Sequence, residues 1–366
     1  MDAVRLEPVD VSQIAGLRED DCSAAYAAFR RQACEILDRG AGFSRLVQFG
    51  GRREDWIPVC ETALRDHEPY QFFSTQFRAF KIHAAERPQG LFTGYFEPEA
   101  QGSRTSSPEY PVPIYRKPLD LVTLSEKEEQ LLGLKYGRRQ NGAVLPYIER
   151  KSIEQGALAG KGLEICWLKN WVDAFFIHIQ GSGRVRLPDG SSLRLSYAAK
   201  TGLPYTGVGG VLAERGILSR ETMSMQTVKA WMAAHPADAR ELMWLNKSFV
   251  FFREISVPNE ALGAVGAAQV NLTPYRSMAV DRANWMFGTP MWIETSYPPE
   301  AGRADPRLQR LMIAQDTGSA IKGFVRGDFY WGWGEDAALI AGHMKSEGKM
   351  TVLLPKQVCL HLGLPA

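Results

Sequence analysis

The chain has few cysteines and no long apolar run, and these two absences exclude several classes of protein. Its 366 residues include 5 scattered cysteines without a C-x-x-C pair, so neither a zinc site nor a dense disulfide framework is indicated. No stretch is apolar for long enough to span a bilayer, and the amino terminus shows no signal-peptide pattern. We therefore expect a soluble chain, with no metal and no lipid-attachment site in these residues.

The chain also lacks a strong net charge. It has 43 basic and 41 acidic residues, a formal charge of +2, and no long run of Lys and Arg, so nucleic acid is not indicated as a partner. We find no internal repeat and no low-complexity tract. The length and a hydrophobic content of 45% allow a large core, which we expect to be divided between two domains.

The most informative feature that is present is the segment 315–332, QDTGSAIKGFVRGDFYWG, which places two acids among glycines and aromatic residues. The apolar run 311–314 predicts a buried strand that ends at Asp316. The glycines that follow indicate turns, and the second acid, Asp328, lies directly before three aromatic residues. Acids at strand ends are well placed for chemistry.

Three interpretations of this segment are open on local evidence. The run D-T-G-S at 316–319 resembles the aspartic protease signature, but that mechanism needs two such loops that share a proton, and the chain has only one D-T-G. Asp316 and Asp328 are also compatible with a purely structural role, because aspartate beside glycine commonly caps turns. The third interpretation is that one of them is a catalytic acid.

Short strands joined by glycine-rich loops are predicted for much of the chain, which is typical of a β barrel. Helix-forming patterns are fewer, and Gly40 is a plausible stop for the first of them. We predict helices over 21–39, 219–235 and 236–245, strands near 91–99, 248–253, 288–295 and 349–354, an extended connection over 101–118, and strands within 171–197 with a hairpin turn at Asp189-Gly190.

Five blocks, taken in order, resemble the membrane-bound lytic murein transglycosylase A family. They are TGYFEP at 93–98, QGSG at 180–183, SFVFFRE at 248–254, SMAVDR at 277–282 and AQDTGSAIKGFVRGDFYWG at 314–332. The resemblance covers roughly residues 70–355. The carboxy-terminal part resembles the 3D domain, named for three aspartates, which here are Asp281, Asp316 and Asp328.

The resemblance implies a mainly β fold with peripheral helices. It implies a double-psi β-barrel domain formed by residues 1–105 and 246–366, with the 3D segment at about 270–355. A second β-rich domain, residues 106–245, is expected to be inserted into the barrel domain, with a substrate groove between the two.

The implied activity is that of a peptidoglycan lytic transglycosylase, a carbon-oxygen lyase without a cofactor. Such an enzyme cleaves the β-1,4 bond between N-acetylmuramic acid and N-acetylglucosamine and leaves a 1,6-anhydro product. One acid, then its carboxylate, suffices for both proton transfers, because the attacking C6 hydroxyl is already tethered to the same sugar. By position in the motif Asp328 is that acid, with Asp316 and Asp281 in support, and burial against the rings of 329–331 is expected to raise its pKa.

Further residues are implied in substrate binding, either lining the groove, bonding to hydroxyl and N-acetyl groups, or stacking on sugars. They are Thr93, Tyr95 and Glu97 for the groove, Gln180, Ser182 and Lys322 for hydrogen bonds, and Tyr330 and Trp331 for stacking. We interpret Glu97 as a solvated turn residue rather than a second catalytic acid, and His178 and His343 as hydrogen-bonded rather than catalytic.

The implied partner is the peptidoglycan glycan strand. The resemblance also points to the periplasm, in association with the outer membrane, and to a monomer that joins a wall-remodelling complex. The alternative function is a noncatalytic double-psi barrel protein that binds peptidoglycan or another polysaccharide without cutting it.

Overall fold

The computed structural model describes residues 4–84, 89–219, 221, 223–256, 259–318 and 320–365, so Ser319 of the D-T-G-S run lies outside the described residues. The chain divides into two compact units. Unit 1 comprises Met1–Phe96 and Pro258–Ala366, and unit 2 comprises Glu97–Val257. Unit 2 is thus an insertion into the sequence of unit 1.

The described residues are mainly β, with helices at the ends of strands and between them. The strands are β1 (Val4–Val9), β2 (Phe77–Ala84), β3 (Gly90–Glu97), β4 (Glu99–Ser103), β5 (Val112–Tyr115), β6 (Leu121–Thr123), β7 (Tyr136–Gln140), β8 (Ala143–Leu145), β9 (Glu164–Leu168), β10 (Ser182–Arg186), β11 (Ser192–Lys200), β12 (Val250–Ile255), β13 (Ser277–Val280), β14 (Pro290–Ser296), β15 (Arg307–Asp316), β16 (Arg326–Trp333) and β17 (Lys345–Pro355).

The helices are mostly short. They are α1 (Cys22–Asp38), α2 (Arg53–Ala63), α3 (Pro69–Gln76), α4 (Glu126–Leu132), α5 (Arg150–Ser152), α6 (Trp171–Gln180), α7 (Val208–Glu214), α8 (Met225–Ala234), α9 (Pro236–Trp244), α10 (Gly334–His343) and α11 (Lys356–Leu362). Within the described ranges, no helix combines the length and the apolar character that crossing a membrane requires.

Unit 1 is built on an eight-stranded sheet with the order β1-β2-β17-β14-β15-β13-β16-β3. Because β17 pairs with β3 as well as with β14, the six strands from β17 to β3 close into a ring. The predicted buried strand before Asp316 is confirmed as the end of β15, where residues 311–314 are fully buried.

Helix α1 packs against this sheet through an aromatic cluster. The Asp21 side chain accepts a hydrogen bond from the Ser23 amide at 3.0 Å, which caps the helix, and Gly40 follows with a φ of +60°. The predicted helix over 21–39 is therefore confirmed. The rings of Phe29 in α1 and Phe77 in β2 lie 5.5 Å apart, and burying each of them contributes about 2 kcal/mol.

Unit 2 contains a six-stranded sheet with the order β12-β11-β10-β4-β9-β5 and a three-stranded sheet with the order β6-β7-β8. The predicted hairpin is confirmed, since β10 and β11 pair in antiparallel fashion around Gly190, which has a φ of +84°. Pro236 begins α9 as predicted. The preceding helix starts at Met225 rather than 219, because Ser224 accepts from the Thr227 amide at 3.2 Å and caps it there.

The predicted strand over the first part of 171–197 is wrong. These residues form α6, which the Asn170 side chain caps by accepting from the Asp173 amide at 2.8 Å. Gly181, with a φ of +74°, ends the helix before β10 begins. A short apolar run such as 174–177 is compatible with a buried helix as well as with a strand. Here the Asn170 cap and Gly181 favour the helix.

The two units meet in sequence at positions other than 105 and 246. β4 pairs with β9 and β10, and β12 pairs with β11, so the ladder hydrogen bonds of both strands lie within unit 2. The division therefore falls after Phe96 and Val257.

Candidate active site

Adjacent strands of unit 1 bring the two acids of segment 315–332 together. β13 lies between β15 and β16, and its Ala279 pairs with Asp316 on one side and with Asp328 on the other. Since neighbouring strands lie about 4.8 Å apart, the Cα atoms of the two acids are about 10 Å apart. β3 lies next to β16 and brings Thr93 and Tyr95 within hydrogen-bonding distance of Asp328 and Asp316.

Asp328 is half-buried, and only one of its carboxyl oxygens is bonded within the described residues. The Thr93 hydroxyl donates to Oδ1 at 2.5 Å, whereas no described residue is hydrogen-bonded to Oδ2. Burial raises the pKa of Asp328, and the negative charge of Asp316 acts in the same direction, against the Thr93 bond and the Arg326 cation. The group therefore combines a raised pKa with one oxygen left for a ligand.

Asp316 is bonded at both oxygens. Its Oδ1 accepts from the amides of Ala267 at 3.0 Å and Thr317 at 2.9 Å, and its Oδ2 accepts from the Tyr95 hydroxyl at 2.8 Å. Burial raises the pKa of Asp316, and these three donors oppose the rise. Because both carboxyl oxygens of Asp316 accept hydrogen bonds, the residue is better suited to holding the surrounding loops than to donating a proton.

Asp281 follows β13 and is buried. Its carboxylate accepts from the amides of Ala283 at 3.0 Å and Gly323 at 2.9 Å, and thus joins two loops. Lys322 is exposed, and its ammonium lies 3.6 Å from Asp281 Oδ1. Lys322 therefore lies beside Asp281, and the contacts of both side chains stabilise this part of the fold.

The aromatic residues after Asp328 divide between the two faces of β16. Because strand side chains alternate, Tyr330 shares the face of Asp328, whereas Phe329 and Trp331 lie on the opposite face, with their rings stacked 5.7 Å apart. The expectation that all three rings surround Asp328 is therefore wrong. Tyr330 instead packs on Tyr95, with ring centroids 5.3 Å apart.

The predicted stacking roles of Tyr330 and Trp331 also need correction. Each side chain is only 1% exposed, so neither presents a ring face on which a sugar could stack. Trp331 is packed against Gly94 of β3 and the rings of Tyr275 and Tyr297. These two residues shape the site from within the core.

The sequence interpretation missed two contributors to the site. One is Arg326, whose Nη2 donates to Thr93 Oγ1 at 2.8 Å. Its position two residues before Asp328, on the same face of a strand, is the signal that would have revealed it. The other is a tight loop over 263–272 that brings the Ala267 amide to Asp316. Gly263 opens this loop, where any Cβ would overlap the Tyr330 hydroxyl.

Three predicted binding residues belong to unit 2. Gln180 ends α6 and Ser182 begins β10, and both are partly exposed. Glu97 is 2% exposed, and its carboxylate lies 3.1 Å from the Arg194 guanidinium in a buried ion pair. The interpretation of Glu97 as a solvated turn residue is therefore wrong, because the Pro98 that follows belongs to a buried strand connection rather than an exposed turn.

The two histidines take hydrogen bonds, as predicted. His178 is buried in unit 2 with its Nδ1 3.0 Å from Arg150 Nη1, and burial together with that cation holds its pKa well below the usual value. His343 Nδ1 lies 2.9 Å from the Leu339 carbonyl oxygen. In the described residues, no three His, Cys, Asp or Glu side chains are grouped to hold a metal ion.

The raised pKa of Asp328 has a consequence for stability. The folded chain holds this proton more tightly than the unfolded chain, so the stability that it contributes at low pH is lost as the pH rises through the folded-state pKa. Asp328→Asn cannot ionise. We therefore expect the stability of the variant to increase relative to that of the native chain as the pH rises above 3.8, the ordinary aspartate pKa.

Denaturant midpoints of both proteins, measured from acid to neutral pH, check this expectation. A stability difference that stays constant over that range would contradict the raised pKa.

The fold and the site together define a class of protein. A mainly β unit, interrupted by a second unit, presents a half-buried acid with one oxygen that no described residue bonds, which is an arrangement for proton transfer to a bound ligand. Two family models match the chain: the MltA specific insert domain over residues 91–253 and the 3D domain over residues 276–354.

Individual relatives point to the same family. A membrane-bound lytic murein transglycosylase A of Vibrio cholerae is 32% identical over 332 residues, which cover 89% of this chain and 80% of the relative. A membrane-bound lytic murein transglycosylase of Agrobacterium tumefaciens matches in structure with a TM-score of 0.79 at 33% identity, over 98% of this chain and 99% of that one.

A third comparison involves a bound glycan. The Escherichia coli MltA solved with chitohexaose matches with a TM-score of 0.67 at 27% identity, over 96% of this chain and 91% of that one. The chain belongs to the membrane-bound lytic murein transglycosylase A family.

Proposed function

We propose that this protein is a lytic transglycosylase that cleaves the β-1,4 bond between N-acetylmuramic acid and N-acetylglucosamine in peptidoglycan. The observation that carries the proposal is that Asp328, unlike Asp316, combines a raised pKa with an oxygen not bonded within the described residues. The names of the family members and the chitohexaose bound to one of them support a glycan substrate.

In the first step, Asp328 Oδ2 gives its proton to the glycosidic oxygen. The bond from that oxygen to C1 of N-acetylmuramic acid breaks, and N-acetylglucosamine leaves with the proton as a free hydroxyl. A positioned general acid contributes about 10²–10⁴-fold to such a step, and a raised pKa keeps it protonated closer to neutral pH.

In the second step, the C6 hydroxyl of the same sugar attacks C1, and the Asp328 carboxylate takes the hydroxyl proton. This restores the acid and closes a 1,6-anhydro ring, so no water is consumed. Intramolecular attack has a large effective molarity, so the site needs no second catalytic carboxylate to activate a nucleophile. The three donors on Asp316 agree with a supporting role for that residue.

The remaining roles follow the contacts. Thr93 and Tyr95 hold Asp328 and Asp316, Asp281 fixes the loop with Gly323, and Gln180, Ser182 and Lys322 are candidates for polar contacts to sugars. We also propose that the six-stranded ring of unit 1 is a double-psi β-barrel, which its closed strand order and the parallel β13–β15 pair support.

We further propose a periplasmic location associated with the outer membrane. Peptidoglycan lies outside the inner membrane, and the named relatives are membrane-bound.

Mass spectrometry of digested peptidoglycan tests the proposed activity. We expect disaccharide peptides that are lighter by one water than the products of a muramidase. Products with ordinary reducing ends would indicate a hydrolase. Tight binding to peptidoglycan without any product would instead favour the noncatalytic glycan-binding function.

The pH dependence of turnover should report the pKa of Asp328. Because the protonated form is the acid, kcat/KM is expected to fall about tenfold per pH unit above that pKa. This falling part of the pH profile, the high-pH limb, should begin at a higher pH than for an ordinary aspartate, since burial raises the pKa of Asp328. Initial rates of anhydro-product release on a soluble glycan, measured across pH, check this, and a limb near pH 3.8 would contradict it.

A further inference from the structure

Arg326, which lies outside the predicted site, is hydrogen-bonded directly to Thr93, the residue that holds the acid. It precedes Asp328 by two positions on β16, so both side chains are on one face of the strand. Arg326 Nη2 donates to Thr93 Oγ1 at 2.8 Å, and Thr93 Oγ1 donates to Asp328 Oδ1 at 2.5 Å. The guanidinium, the hydroxyl and the carboxyl thus form a continuous hydrogen-bonded chain.

The direction of this chain follows from what each group can donate. A guanidinium has no acceptor, so the Thr93 oxygen must accept from Arg326 and retains its own single hydrogen. Within the described residues, Asp328 is the acceptor within reach of that hydrogen. If the Asp328 proton pointed at Thr93 instead, the hydroxyl hydrogen would have no other acceptor among the described residues, which is unfavourable in a half-buried site.

The acid proton is consequently left on Oδ2, the oxygen that no described residue bonds. Arg326 is itself held firmly, because its Nη1 donates to the carbonyl oxygens of Gly327 at 2.5 Å and Leu91 at 3.3 Å. It is therefore attached to both strands that carry the acid and its hydroxyl partner, β16 and β3.

We propose that Arg326 is a positioning residue that acts through Thr93 to keep the transferable proton of Asp328 on Oδ2. The inference rests on the proposed function, because it gives a direction to the proton that reaches the glycosidic oxygen. Its charge has a second effect, since a nearby cation lowers the pKa of a carboxyl and so limits the rise that burial causes.

Three variants test the inference: Arg326→Gln, Arg326→Lys and Thr93→Val. We expect Arg326→Gln to lower kcat about tenfold with KM changed less than about twofold, and to move the high-pH limb to higher pH. Arg326→Lys keeps the positive charge and a hydrogen-bond donor. Its high-pH limb should therefore match that of the native chain, and its kcat should be much closer to the native value than that of Arg326→Gln. Thr93→Val should have little further effect in the Arg326→Gln background, because both changes break one chain.

Isotope-edited NMR of the Asp328 carboxyl, assigned with Asp328→Asn, gives a readout that does not depend on turnover. Arg326→Gln is expected to move its titration midpoint upward. An unmoved midpoint, or losses from Arg326→Gln and Thr93→Val that simply multiply, would overturn the inference. If the native chain released no anhydro product, the proposed function would fail, while the NMR midpoint would still decide the role of Arg326.

Discussion

Turnover by Asp328→Asn is expected to fall by at least about 10³-fold, because one group performs both proton transfers and an amide performs neither. The substitution preserves shape, and the amide oxygen can still accept from Thr93. The loss should therefore appear in kcat, with binding of glycan strands retained. Release of anhydro products by equal amounts of folded native and variant protein measures it.

Asp316→Asn is the matched control, since it makes the same chemical change at the neighbouring acid. Its amide oxygen can accept from Ala267 and Thr317, and its NH₂ group can donate to the Tyr95 hydroxyl. We expect more than about a tenth of native turnover to remain. If Asp316→Asn abolished activity and Asp328→Asn retained most of it, the two roles would be reversed.

Gly94→Ala is expected to destabilise the fold by about 3 kcal/mol. Gly94 lies between Thr93 and Tyr95 on β3, and an added Cβ would lie 2.6 Å from Trp331 Cδ1 and 2.9 Å from the Cα atom of Ala341 in α10. The Trp331 indole is buried and the Ala341 Cα atom belongs to the backbone, so neither can move aside without a large cost in free energy. Denaturant midpoints measure the loss, and turnover should fall with it because β3 carries Thr93.

Gly210→Ala provides the control for this change. Gly210 lies in α7, and an added Cβ would meet no atom of the described residues within 4 Å, apart from its chain neighbours and the backbone of its own helix. Alanine favours a helix over glycine, so this variant is expected to be unchanged or more stable by up to about 1 kcal/mol. Equal stability of Gly94→Ala and Gly210→Ala would contradict the close packing of Trp331 against Gly94 of β3.

Local patterns in the sequence were enough to predict the strand that ends at Asp316 and the first helix, but not β16, which carries Asp328. The buried run before Asp316 predicts β15, and the helix-forming composition of 21–39 with a stop at Gly40 predicts α1, because these features depend only on neighbouring residues. The short apolar run in α6 predicts a strand but forms a helix, because such a run is compatible with either structure.

The contacts that complete the site could not be predicted in the same way. Thr93 and Asp328 are 235 residues apart in sequence and meet only because β3 pairs next to β16. Motif order brought Thr93 and Tyr95 into the prediction but not their partners. The burial of Tyr330 and Trp331, and the bond from Arg326, depend on strand order and on which face each residue occupies.

The central claim, that an internal hydroxyl rather than water completes the reaction at Asp328, is tested most directly by digesting peptidoglycan in water enriched in heavy oxygen. Mass spectra of the released products would be compared with those from ordinary water, with a muramidase digest as the labelled reference. We predict no heavy oxygen at the muramic acid C1 and an anhydro end on each product. One heavy oxygen per new end would contradict the account, because it would require a hydrolytic water and a second group to activate it.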